Sequence, residues 1–160
     1  MLPNRSQANL FLLLLTASCV ALSLACDARR EALLVSGGNP PSFQIKRSPL
    51  SHVKIFPIFI VSELHPDNEK VGPLQEDHSK NKIVWKLAVD HGEAELSEKL
   101  ERIEYGKVPA GYHQETPAQG APEQLREDQM YEAYGALSLM SNAIVRFTIV
   151  DGKVTSHPVP

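Results

Sequence analysis

The chain has 160 residues, of which 42% are apolar and 22% are charged, and its formal net charge is −3. This balance is typical of one globular domain. The mild acidity excludes a nucleic-acid-binding protein, which needs a basic patch, and the lack of a polybasic run gives no support to binding of anionic lipid headgroups.

The first 25 residues differ from the rest of the chain. Arg5 is their only charged side chain, and an apolar run extends from Leu10 to Ala25. A positively charged N-terminus, an apolar stretch and small residues ahead of a cleavage site are typical of a secretory signal peptide. The apolar run is shorter than the roughly 20 residues that a membrane span needs. We therefore predict a signal peptide at residues 1–25.

Cys26 is the candidate lipidation site. The stretch Leu22-Ser23-Leu24-Ala25-Cys26 resembles the lipobox of bacterial lipoproteins, in which the cysteine after a small residue is lipidated. Ser23 departs from that pattern, which has a large aliphatic residue there. Cleavage ahead of Cys26 leaves one cysteine, so no internal disulfide can form, and lipidation accounts for a lone exported thiol.

The lipobox resemblance implies a palmitate-bearing anchor, with the bilayer as partner, on the periplasmic or extracellular face of a bacterial membrane. A soluble secreted domain is the alternative if the lipobox is not used. Residues 26–41 begin with charges and end in a Gly/Pro run, which predicts a flexible tether. A β domain is predicted at residues 42–156, with a tail at residues 157–160.

Alternation of apolar and polar residues predicts short strands throughout this domain. Val53–Val61 is apolar on both faces, which indicates a central or doubly covered strand, and Pro57 is expected to divide it. Asp151-Gly152 predicts a type I′ hairpin turn. The predicted strands are Phe43–Lys46, Val53–Val61, Lys82–Val89, Arg102–Tyr105, Met130–Tyr134, Ala143–Val150 and Lys153–Thr155.

The alternation in two of these strands predicts which side chains point into the core. In Lys82–Val89 the inward residues are expected to be Ile83, Trp85, Leu87 and Val89, with Trp85 at the centre of the core. In Ala143–Val150 the apolar positions point inward, and Arg146 and Thr148 point outward. Residues 93–105 carry both helical spacing and alternation, so we predict a helical turn at Ala94–Leu100 ahead of the strand. A second helical turn is predicted at Glu123–Met130.

Tyr105–Pro122 holds three prolines and three glycines, which predicts a long loop that crosses between the two layers. The loop has two candidate roles. Tyr105 and Val108 would plug the end of the sandwich, or Tyr105, Tyr112, His113 and Gln114 would form a binding lip.

The pattern Tyr-Gly-x-Val-Pro-x-Gly-Tyr-x-Gln at Tyr105–Gln114 resembles small uncharacterised bacterial lipoproteins with an immunoglobulin-like β-sandwich. The likeness covers about Phe43–Lys153. It implies a mainly β fold, an antiparallel immunoglobulin-like β-sandwich of about seven short strands, and it brings no catalytic residues.

The sequence contains no Gly-x-Ser-x-Gly, Walker or His-Glu-x-x-His motif, so we predict neither an enzyme nor a cofactor. The predicted role is a membrane-anchored protein-interaction or envelope-accessory domain, with an envelope protein as partner. The alternative is a Zn²⁺- or Cu²⁺-binding module that uses the loop histidines His65, His78 and His91.

Overall fold

The computed structural model describes residues 32–46, 57–73, 75–90, 100–138 and 141–160. The predicted signal peptide, Cys26, His91 and nearly all of the predicted turn at Ala94–Leu100 lie outside the described residues. The strands are β1 (Ala32–Gly37), β2 (Pro41–Lys46), β3 (Ile58–Glu63), β4 (Lys82–Val89), β5 (Arg102–Glu104), β6 (Tyr112–Thr116), β7 (Tyr131–Ser138), β8 (Ser141–Val150) and β9 (Lys153–His157), and a short 3₁₀ helix spans His78–Lys80.

The nine described strands form two antiparallel sheets, one of three strands in the order β1-β2-β5 and one of six in the order β6-β4-β3-β7-β8-β9. Phe43 of β2 contacts Phe59 of β3 and Phe147 of β8, with ring centroids 5.2 Å and 5.6 Å apart. All three rings are fully buried, so the core lies between the sheets. The predicted mainly β, antiparallel sandwich is confirmed, with nine described strands instead of about seven.

β3 occupies the middle of the large sheet, between β4 and β7. It begins directly after the exposed Pro57, where a missing backbone N–H costs no ladder hydrogen bond. The predicted central strand on the carboxyl side of Pro57 is confirmed. Residues 53–56, on the amino side of Pro57, lie outside the described residues. Phe59 and Val61 point into the core, whereas Ile58 and Ile60 lie on the opposite face and are only half-buried.

Trp85 lies at the centre of the core, as predicted, and is fully buried. Its ring contacts Phe59 and Tyr105 edge-on, with centroids 6.0 Å and 5.2 Å apart. The prediction for Ile83 is wrong, because its side chain is 42% exposed. Val61 pairs with Trp85 but Ser62 pairs with Ile83, so a bulge at Val84 adds one residue and turns Ile83 to the other face.

β8 and β9 form the predicted hairpin. Asp151 and Gly152 have φ values of 51° and 70°, and a type I′ turn requires positive φ at both central residues. Val150 pairs with Lys153 across this turn. The inward residues of β8 are all buried, as the alternation predicted: Ala143, Val145, Phe147 and Ile149.

The predicted tether at residues 26–41 is wrong from Ala32 onward. Ala32–Gly37 forms β1 and pairs with β2 along its whole length, from Ala32 opposite Lys46 to Gly37 opposite Pro41. Leu33 is 3% exposed and belongs to the core. The strand pairing and the burial of Leu33 outweigh the flexibility that the Gly/Pro run at residues 37–41 predicts.

The predicted loop at Tyr105–Pro122 is wrong in its middle, where Tyr112–Thr116 forms β6. β6 is an edge strand that pairs only with β4, so the proline that follows it disturbs no neighbour. The stretch connects β5 of the small sheet to β6 of the large sheet, which confirms that it bridges the layers. The helical turn predicted at Glu123–Met130 is also wrong, because this segment contains no helix and only a non-helical turn at residues 127–128.

Candidate functional site

The predicted binding lip does not form. Tyr105 and Tyr112 are each only 5% exposed and belong to the core. The Tyr105 hydroxyl donates to the Glu123 carbonyl oxygen at 2.8 Å, and burial raises the pKa of this hydroxyl. Both tyrosines are therefore structural, because aromatic rings buried in the core cannot contact a ligand at the surface.

The other members of the lip serve separate purposes. The Gln114 amide oxygen accepts from Trp85 Nε1 at 2.9 Å, and its nitrogen donates to the Pro117 carbonyl at 2.7 Å. Gln114 thus satisfies the one polar atom of the core indole. His113 is exposed and contacts Asp90 at 2.7 Å. Val108 is 46% exposed, so the prediction that it plugs the sandwich is also wrong.

The described candidate metal ligands do not converge. His65 Nδ1 lies 3.5 Å from Asp67, and His78 Nδ1 lies 3.4 Å from Glu76. Across the described ranges, no group of three or more His, Cys, Asp or Glu side chains is arranged to hold a metal ion. His91 lies outside those ranges, so the complete set that the sequence predicted stays a prediction.

The strongest candidate site is a pocket of about 330 Å³ on the outer face of the six-stranded sheet, the face turned away from the small sheet. Residues 64–73 and 75–81, the described part of the 64–81 loop, form one wall of this pocket, and the sheet forms its floor. The floor residues are Ile60, Ser62, Ile83, Glu132, Tyr134, Asn142 and Ile144, and the wall residues are Pro73, His78 and Asn81.

Strand register sorts the floor into an apolar row and a polar row. Ile60 pairs with Tyr134, which pairs with Ile144, so three large side chains lie side by side. One step along the strands, Ser62 pairs with Glu132. Directly opposite residues on adjacent strands share a face and contact each other. The pocket therefore has an apolar floor that ends against an acidic side chain, an arrangement typical of small-molecule sites.

The 64–81 loop that forms the wall is organised around Asn68, which is 2% exposed. The Asn68 amide nitrogen donates to the Asp77 carbonyl at 2.9 Å and to Asn81 Oδ1 at 2.8 Å. Its amide oxygen accepts from the Asp77 backbone N–H at 3.1 Å. These bonds close the loop across its width and position the 3₁₀ helix beside the sheet.

We expect Asn68→Ala to destabilise the protein by about 1–3 kcal/mol, because it leaves buried donors and acceptors without partners. The measurement is the free energy of unfolding in urea. Gln75→Ala is the matched control, since the Gln75 side chain is exposed on the same loop. Equal losses in the two variants would contradict the role assigned to Asn68.

Beneath the wall, Arg146 is buried with two glutamates and is only 1% exposed. Its Nε donates to Glu132 Oε2 at 3.1 Å, a terminal nitrogen donates to the Glu69 carbonyl at 3.1 Å, and the other terminal nitrogen pairs with Glu76. Arg146 lies on the outer face, as predicted, but its expected exposure is wrong because the 64–81 loop covers it.

This buried cluster carries an excess of negative charge. Glu76 and Glu132 share one guanidinium, so the three groups sum to a net charge of −1 when both acids are ionised. Burial first, and the nearby Glu76 second, raise the pKa of the Glu132 carboxyl, and Arg146 opposes them. Burial and the charge of Glu132 also raise the pKa of Tyr134. The pocket thus holds an acid whose charge is only partly compensated.

Comparisons with protein-family models, curated proteins and solved structures find no match for this chain. The lipoprotein resemblance at Leu22–Cys26 and Tyr105–Gln114 therefore stays a prediction. Among the residues that the structure describes, no helix has the length and apolarity needed to cross a bilayer.

Sequence reasoning missed the pocket, although two of its signals are visible. Ile58 and Ile60 are apolar on the face of β3 opposite the core, which is the pattern of a strand covered on both sides. The acidic residue in the middle of the strand at Met130–Tyr134 is the second signal. Nothing in the pattern links Glu132 and Glu76 to Arg146, because those ion pairs depend on strand register and loop closure.

Proposed function

We propose that this chain is a lipid-anchored, non-catalytic domain on the extracytoplasmic face of a bacterial membrane, where it serves protein interaction or another envelope-accessory role. The observation that carries the proposal is the position of Cys26. It follows an apolar run and a small residue, and it lies six residues ahead of Ala32, where β1 begins. A cysteine between an export signal and a folded domain is where a lipid anchor belongs.

The short distance from Cys26 to β1 determines how the domain would sit. Six residues of fully extended chain reach at most about 22 Å. A lipid on Cys26 would therefore hold the β-sandwich next to the bilayer, without the long tether that the sequence predicted. A partner in the same membrane would lie within reach.

The chemistry of the pocket supports binding over catalysis. Its floor is mostly apolar, and a few convergent polar groups at one end are typical of a recognition site. Glu132 and Glu76 both pair with the buried Arg146 guanidinium, which holds their side chains in place. The described hydrogen bonds of Ser62 and Tyr134 include none to a base that would activate a nucleophile.

Cells that express the full chain are expected to incorporate radiolabelled palmitate into it, and Cys26→Ala is expected to abolish the label. The reason is that only a thiol at the first position of the mature chain receives the lipid in the lipoprotein pattern. Cys19→Ala is the matched control, since Cys19 is the chain's other cysteine and lies inside the apolar run. That variant should retain the label.

Two results would overturn the anchor. Wild-type protein without label that is recovered in the medium would establish the soluble secreted alternative. Label that persists in Cys26→Ala would assign the lipid to another residue.

A further inference from the structure

At the polar end of the pocket, one carboxylate oxygen receives no hydrogen bond from the residues that the structure describes. Glu132 Oε2 accepts from Arg146 Nε at 3.1 Å, and no described residue donates to its other oxygen, Oε1. The Glu132 side chain is 7% exposed and lines the pocket. A buried carboxylate oxygen without a donor is costly, so a ligand that donates a hydrogen bond there would lower the free energy of the bound state.

We propose that the pocket binds a small organic ammonium ion, with its apolar stem on Ile60, Ile83 and Ile144 and its ammonium group at Glu132. This inference is independent of the lipid anchor, because it rests on the described residues of the domain alone.

Charge determines the class of ligand. Glu76 and Glu132 outnumber Arg146, so an added cation offsets the excess negative charge of the buried cluster, whereas an anion would meet the Glu132 carboxylate that lines the pocket. An ammonium group also supplies three donors and no acceptor, which matches an acceptor-only carboxylate. Arg146 cannot serve an anion instead, because its three nitrogens are bonded to Glu132, Glu69 and Glu76.

Shape determines the rest of the ligand. A volume of about 330 Å³ is at the small end of the range for ligand pockets, which accommodates a compact molecule and excludes a long acyl chain. Ile83 is 42% exposed at the pocket, although covering a large apolar side chain from water lowers the free energy. A stem of about six carbons would cover Ile83 and the apolar row formed by Ile60, Tyr134 and Ile144.

The test compares three six-carbon probes that share an apolar chain and carry a cationic, a neutral or an anionic head group: hexylammonium, 1-hexanol and hexanoate. Binding to the purified full chain is followed by the methyl NMR signals of its isoleucines. Hexylammonium is expected to bind about tenfold more tightly than hexanol, because a hydrogen bond between charged groups raises the affinity by at least about tenfold. Hexanoate is expected to bind weakest, and the shifted signals should be those of Ile60, Ile83 and Ile144.

Variants identify the group that selects the cation. Glu132→Gln is expected to remove the preference for hexylammonium over hexanol. Glu123→Gln is the matched control and should keep it, since Glu123 pairs with Lys82 on the exposed surface. Ile83→Ala changes a side chain that is 42% exposed, and it should weaken the binding of both probes several-fold while the ratio of their affinities is kept.

The pH dependence gives a separate check. Glu132 faces Arg146 of β8, Glu76 and His78 of the 64–81 loop, and Tyr134 on its own strand. As the pH falls, Glu132 takes up a proton at a higher pH than an ordinary glutamate would, because burial and the nearby Glu76 raise its pKa. A protonated Glu132 no longer attracts a cation, so the preference for hexylammonium should decline towards acid pH.

Three outcomes would overturn the proposal. The first is hexanol or hexanoate binding as tightly as hexylammonium in the wild-type chain. The second is probe-induced shifts confined to isoleucines outside the pocket. The third is a cation preference that survives Glu132→Gln in a folded variant.

Discussion

Arg146→Met is expected to destabilise the protein by about 3–5 kcal/mol, which is a large share of the stability of a domain of this size. Arg146 is 1% exposed, and the side chains of Glu76 and Glu132 are 0% and 7% exposed. Methionine fills a similar volume but leaves two buried acids without a counter-charge. The cost therefore comes from the uncompensated carboxylates more than from lost packing.

The measurement is urea unfolding followed by the fluorescence of Trp85. Arg126→Met is the matched control, because Arg126 also pairs with a glutamate, Glu63, but has an exposed side chain. Exposed ion pairs are screened by water, so the unfolding midpoint of this control should change little.

A combined variant tests the mechanism behind the loss. Arg146→Met together with Glu76→Gln and Glu132→Gln removes both buried charges, and it should recover part of the stability lost in Arg146→Met alone. A loss in Arg146→Met no greater than that in Arg126→Met would show that the buried cluster contributes nothing to the fold.

Trp85→Ala is expected to cost about 3–5 kcal/mol, the range for removal of a large aromatic ring from a core. Trp85 is fully buried and contacts Phe59 and Tyr105 edge-on. Alanine leaves a cavity where the strands of the large sheet meet the small sheet. It also removes the indole Nε1 that donates to the Gln114 amide oxygen at 2.9 Å.

Circular dichroism during urea unfolding measures this loss, since the variant lacks the only tryptophan. Ile83→Ala is the matched control. It lies two residues earlier on the same strand but is 42% exposed, so its cost should be about 1 kcal/mol or less. A control that loses as much as Trp85→Ala would contradict the placement of Trp85 at the centre of the core.

Most of the strands could be predicted because their signals are local. Alternation identified β2, β4, β5, β7 and β8, and the Asp151-Gly152 turn identified the β8–β9 hairpin. Such signals depend on which side chains share a face of the strand, and the order of neighbouring residues along the chain determines this. The same locality explains the errors at Ile83, where one bulge reverses the alternation, and at β1, where pairing with β2 overrides a Gly/Pro composition.

The sequence by itself determined that this is an antiparallel β-sandwich with Trp85 at its centre, because periodicity and turn chemistry are written along the chain. Only the tertiary structure decided that Glu76 and Arg146, 70 residues apart, meet under the 64–81 loop. It also decided that Glu132 lies beside Arg146, in the polar row next to the apolar row of the pocket floor. The reason is physical: a pocket forms from strand register and loop closure, which depend on long-range contacts that no local pattern encodes.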